Sequence, residues 1–230
     1  MPRATIPGLI AITTFALALA GSAFFENPAH AAACVLDRSN PPSIRINVHK
    51  PEIRYFQNKG KKELANMRGQ YHKPRAGWSP VGLTHGEMKL EIGIAVESSK
   101  RNDGRYCSRL HEVEVNVGFE VLDVYIAKEY ARGTCQYGVV LAHERRHVLV
   151  YENAIKDYLP ILDRQMRNEA NFMRPAVSSD PGAVLNTFHQ RLMGAVQRSF
   201  KKTQDSMVAR NAAFDTVSAY RQEQKKCPKW

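Results

Sequence analysis

The chain has 230 residues, 33 Lys and Arg against 22 Asp and Glu, and a net charge of +11. That length suffices for one domain with a proper core, and no low-complexity tract or internal repeat interrupts it. The basic balance favours anionic partners such as envelope polymers, acidic head groups or acidic substrates. The scattered basic residues and the lack of a recognisable binding module speak against nucleic acid.

The first stretch reads as a signal peptide over residues 1–31. Met1-Pro2-Arg3 is a short basic start, Leu9 to Ala20 is an apolar run, and Ala29-His30-Ala31 fits the small-x-small cleavage rule. The run is shorter than the roughly 20 apolar residues a span requires, and no later stretch approaches one. The expectation is therefore a secreted or periplasmic protein of residues 32–230, with no membrane span after cleavage. Four cysteines remain, Cys34, Cys107, Cys135 and Cys227. An even count in an exported chain predicts two disulfides. Of the three pairings, Cys107–Cys135 with Cys34–Cys227 is favoured. The first would tie the strand region to the start of the main helix, and the second would tie the termini together.

Residues 37–43 form a polar, proline-broken linker. Ile44–His49 and Ile53–Phe56 alternate as short strands, and Lys62–Arg68 is a candidate short helix. Met88–Val96 and Glu112–Val117 alternate more strongly, with a turn signal at Asn102-Asp103-Gly104-Arg105 between them. Together these predict an antiparallel hairpin within a small antiparallel sheet. The pattern then turns helical. Thr134 caps a helix expected from Gln136 to Tyr158, which Pro160 should end or kink. Residues 161–173 continue or restart it, 175–181 break it, and 183–224 form a long C-terminal helical stretch. The fold class is α+β, strands first and helices after.

The sharpest signal is His143-Glu144-Arg145-Arg146-His147, an HExxH motif. Positions four apart share one helix face, so both imidazoles can bind one Zn²⁺. The adjacent Glu144 is then placed as general base on water at the metal. No serine sits in a nucleophile-elbow context, and the cysteines are spoken for by disulfides. His85 and His111 have no partner at ligand spacing.

Beyond the motif, LAHERRHVLVYENA resembles the core of a family of bacterial secreted proteins described as predicted zinc-dependent proteases. In that family a Glu follows five residues after the second His, which here is Glu152. Tyr55, Gly60, Leu64 and Gly82-Leu83-Thr84 fall in the family's usual order, and the tail resembles its signature at Phe214, Asp215, Ser218 and Gln224. The similarity covers roughly residues 53–226. It implies a zincin-like fold and a secreted zinc peptidase acting on peptide or protein substrates. One departure is that the family tail often carries His-Gly where this chain has Tyr220-Arg221. If that His is the family's third ligand, this chain uses another.

A catalytic zinc usually has three protein ligands. Asp215 is favoured because the resemblance places it in a signature. Glu152 falls on the opposite side of an unbroken helix from His143, and Glu169 and His189 are further alternatives. Tyr220 is a candidate donor to a developing oxyanion. Strand Glu112–Val117 is a candidate edge for holding extended peptide. The competing functional reading is a non-catalytic envelope-binding or structural protein that retains a zincin-like fold.

Overall fold

Apolar alternation over two very long strands builds the sheet of this protein. The computed structural model describes Cys34, residues 40–71 and residues 79–230. The expected leader and its cleavage site lie outside the described residues. Residues Cys34–Trp230 form one compact unit.

The strands are β1 (Ser43–His49), β2 (Arg54–Phe56), β3 (Gly82–Lys100), β4 (Tyr106–Ile126) and β5 (Ala176–Ser178). β4 is the centre. One of its edges pairs antiparallel with β3 along its whole length. The other edge takes β5 antiparallel, then β1 and β2 parallel. The sheet is therefore mixed, which corrects the antiparallel expectation. Alternation identifies a strand but not its direction, and the turn signal at 102–105 fixes only the β3–β4 hairpin. β1 and β2 are successive pieces of one edge running the same way, separated by a segment containing Pro51, which has no N–H to give a ladder.

β3 and β4 also run well beyond the expected 88–96 and 112–117. Bulges between Glu87 and Met88 and between Ala95 and Val96 shift the register, so no single alternation covers either strand. Glu112–Val117 is not an edge. It is paired with β1 on one side and β3 on the other. Among the described residues, β4 pairs on both edges, and β1, β2, β3 and β5 each pair with β4 alone.

The helices are α1 (Lys61–Tyr71), α2 (Cys135–Phe172), α3 (Pro181–Phe214) and α4 (Val217–Gln224). Thr134 caps α2 by accepting from the Tyr137 N–H at 3.2 Å. Pro160 lies inside α2, which continues to Phe172 rather than ending. Tyr158, Leu162 and Met166 are all fully buried around it. Burying such side chains contributes about 1.5–3 kcal/mol each, enough to outweigh the roughly 3 kcal/mol a mid-helix proline costs. α2 and α3 pack on the sheet, where Val113, Val115 and Val117 of β4 meet a core that includes Leu192 and Val196. The long C-terminal stretch breaks at Asp215. Thr216 then caps α4 by accepting from the Ala219 N–H at 3.1 Å.

The disulfides are Cys34–Cys107 and Cys135–Cys227. This overturns the favoured pairing for a geometric reason. Cys107 sits at the start of β4, and Cys135 follows its far end. At about 3.3 Å per residue the strand separates them by roughly 60 Å along its length, whereas bridged Cα atoms lie within about 7 Å. Among the described residues, no helix is long and apolar enough to cross a membrane.

Candidate metal centre

Close approach between α2 and β3 sets the geometry of the site. Gly82, Thr84 and Gly86 alternate along β3 and face α2. A Cβ on Gly82 would overlap Glu144 Oε1 and lie 2.8 Å from Val140 Cγ1, and one on Gly86 would lie 3.1 Å from Tyr151 Cε1. Glycine at these two places lets the helix press onto the strand. Between them, Thr84 Oγ1 donates to Glu144 Oε2 at 2.8 Å.

On this face α2 carries His143, Glu144 and His147, all buried despite their polarity. His143 Nε2 and His147 Nε2 lie 3.0 Å apart. Asp215 Oδ1 lies 3.1 Å from the first and 3.2 Å from the second. Three donor atoms from residues 68 and 72 apart in sequence thus converge on one point. The break between α3 and α4 makes this contact. At Asp215 the backbone leaves the helical region (φ −86°, ψ 48°) and turns the carboxylate toward α2.

Each group in the triangle is held from behind. His143 Nδ1 lies 3.0 Å from Glu223 Oε2, and His147 Nδ1 lies 3.0 Å from Asn211 Oδ1. Arg146 Nη2 is also 2.8 Å from His143 Nδ1, but its charge is taken up by an ion pair with Glu223 Oε1. The ring N–H is therefore assigned to Glu223. With both Nδ1 atoms donating outward, both Nε2 atoms turn lone pairs toward the carboxylate. Arg68 Nη2 donates to Asp215 Oδ2 at 2.9 Å, leaving Oδ1 toward the histidines. Tyr220 O–H donates to the same Oδ1 at 2.9 Å and lies 3.1 Å from His143 Nε2.

Titration behaviour follows from these contacts. Burial pushes the Glu144 carboxyl up, against the pull of His147 and His143 and the hydrogen bond from Thr84. Burial opposes ionisation of Asp215 too. There the close approach of both histidine rings and the charges of His147 and Arg68 win, holding the group well below the usual carboxylate range. Burial pushes His147 down, but Asp215 and Glu144 outweigh it and the net shift is upward.

A cleft of about 300 Å³ opens beside the triangle. Its walls include Leu83 and Gly86 from β3, Tyr151 from α2, and Met207 and Val208 from α3.

The structure thus brings together His143, Glu144, His147 and Asp215, and leaves the alternatives elsewhere. Glu152 lines a separate cavity with Lys156 and Leu159. Glu169 pairs with Arg191, and His189 is 2.9 Å from the Ile92 carbonyl. Arg68, Thr84, Asn211 and Glu223 escaped sequence reading. The Gly-x-Thr-x-Gly run at 82–86 was a usable signal for Thr84. Asn211, one turn before Asp215, and Glu223, three residues after Tyr220, had none outside the fold.

The chain was compared with models of protein families, with curated proteins and with solved structures, and it matches none of them. The case for function therefore rests on the site itself.

Proposed function

We propose that this protein is an exported zinc-dependent hydrolase of the peptidase class, with His143, His147 and Asp215 as metal ligands and Glu144 as general base. One observation carries the reading: two imidazole nitrogens and a carboxylate oxygen meet within 3.0–3.2 Å, with no proton assigned between the rings. Lone pairs so placed repel one another unless a cation sits among them. In a tetrahedral site with ligand distances of about 2.0–2.1 Å, neighbouring donors lie roughly 3.3 Å apart. The donor set is the mixed nitrogen and oxygen type that zinc accepts, and the cleft leaves a side open for water and substrate. The two disulfides support the export part of the proposal.

The chemistry such a cation supplies is Lewis acidity, which polarises a carbonyl and acidifies water. The protein's own groups do the rest. Thr84 and the surrounding burial fix Glu144, and desolvation raises its basicity. Glu144 takes the proton of the attacking water and returns it to the leaving nitrogen. Glu223 and Asn211 hold the ring tautomers, and Arg68 holds the Asp215 carboxylate. Among the described residues, the side of β3 away from β4 has no strand partner at residues 82–87; it runs along the cleft and offers backbone groups to an extended peptide. This replaces Glu112–Val117 in that role.

The test is elemental analysis of protein purified without chelator, together with casein cleavage. The expected result is one zinc per chain. Glu144→Gln should keep zinc and lose hydrolysis, and His143→Ala should lose both. A Glu144→Gln protein that cleaves casein near the wild-type rate would refute the assigned base. A wild-type protein that holds no zinc would instead support the non-catalytic envelope-binding reading.

A further inference from the structure

Two tyrosines flank the site, and their hydroxyls are used differently. Tyr220 is committed within the site, donating to Asp215 and touching His143. Tyr151 lies four residues after His147, one turn further along the same face of α2 and about 6 Å along its axis. It is 9% exposed, yet among the described residues its hydroxyl has no hydrogen-bond partner. The hydroxyl is not itself sealed from solvent: it opens on the cleft and is free to meet water or substrate. That of Tyr158 is also unpartnered but is sealed in the core, whereas Tyr151 lines the cleft. The Tyr151 ring is held on both sides, edge-on to Phe119 at a centroid distance of 5.2 Å and against β3 at Gly86.

We infer that Tyr151, not Tyr220, is the phenol that donates to substrate, its O–H placed for the oxygen that becomes negative when water adds to the carbonyl. The inference rests on the hydrolase reading and adds a catalytic residue to it. A locked ring with an unspent donor needs no reorganisation as charge develops, which is the condition for a strong contribution. The group also stays protonated: burial, then the charges of Glu144 and Asp215, push it up to about 12. The site would bracket its substrate with Glu144 supplying the nucleophile and Tyr151 receiving the oxyanion. Tyr220 then serves to orient Asp215.

The experiment compares zinc-loaded wild type with Tyr151→Phe, which keeps the ring packing and removes one oxygen. The readouts are zinc content, casein turnover, and calorimetric affinity for acetohydroxamate, whose oxygens mimic the reacting carbonyl. A fourth readout is the ¹³Cζ signal of Tyr151, assigned by its loss in the variant. The expected result is unchanged zinc, turnover down on the order of 10²-fold, and acetohydroxamate bound about 10-fold more weakly. In wild type, the Tyr151 ¹³Cζ signal should shift on acetohydroxamate binding. If Tyr151→Phe binds acetohydroxamate and turns over casein like wild type, the inference is overturned and the hydrolase reading stands. If wild type takes up no zinc, both fall together.

Discussion

Gly82→Ala tests the packing that sets Glu144. The added Cβ would overlap Glu144 Oε1 and approach Val140 Cγ1 to 2.8 Å. Ordinary contact between carbon atoms begins near 3.5 Å. Val140 is buried in a small cluster with Leu64 and Ile126 and has no room to retreat. Glu144 must therefore withdraw by about 1 Å, or α2 must lift from β3. Overpacking of this kind costs about 1–3 kcal/mol, a fall in Tm of roughly 2–12 °C at this chain length. A displacement of about 1 Å at the base costs on the order of 10²-fold in turnover. Zinc should still bind, because the atoms nearest the new methyl belong to Glu144 and Val140 and not to the three proposed ligands. Gly138→Ala and Gly194→Ala are the controls. Both sit in helices with nothing within 4 Å of an added Cβ, so they should be neutral or stabilising. Thermal melts, elemental analysis and casein cleavage on the same preparations read all three. A Gly82→Ala protein with wild-type Tm and turnover would refute the claim that strand and helix are in forced contact here.

Glu223→Gln should weaken zinc binding by roughly 10- to 100-fold at unchanged fold, measured by competition with a chromophoric chelator. Removing the Cys135–Cys227 bridge as a double alanine variant opens a loop of sequence separation 92. The chain-entropy account puts the loss at about 4–5 kcal/mol, and denaturant unfolding measures it. Zinc affinity should fall with it, because Tyr220 and Glu223 lie just before Cys227. For pH, the Glu144 carboxyl is raised in the folded state, so the native form holds its proton longer than the unfolded chain does. Stability of zinc-free protein should therefore fall as pH rises from about 4.3, the ordinary glutamate value, through the raised one, and level off above it. Glu144→Gln should remove that decline, and urea unfolding at stepped pH shows whether it does.

Local chemistry was readable in the sequence wherever one element sufficed. His143, Glu144 and His147 declare themselves by spacing on a single helix, and Thr134 declares the start of that helix. The hairpin is visible in Gly104 and its neighbours. What stayed hidden depends on distance. Strand direction is absent from alternation, so the parallel edge formed by β1 and β2 could not be read. The length of β4 decides the disulfides, and its bulged register masked that length. Pro160 looked like an ending because the sequence does not show how deeply Tyr158 and Leu162 are buried. Asp215 was reached through a resemblance. Glu223, Asn211 and Arg68, which hold the site from behind, gain meaning only once α1, α3 and α4 are docked.

The break at Asp215 also governs timing during synthesis. A ribosome releases both imidazoles about seventy residues before the carboxylate that completes their triangle. An emerging chain thus carries only a pair of ring nitrogens, a far weaker claim on a metal ion than the full set. The three proposed ligands and the Glu223 contact behind His143 come together only once the stretch through Glu223 has emerged and folded back.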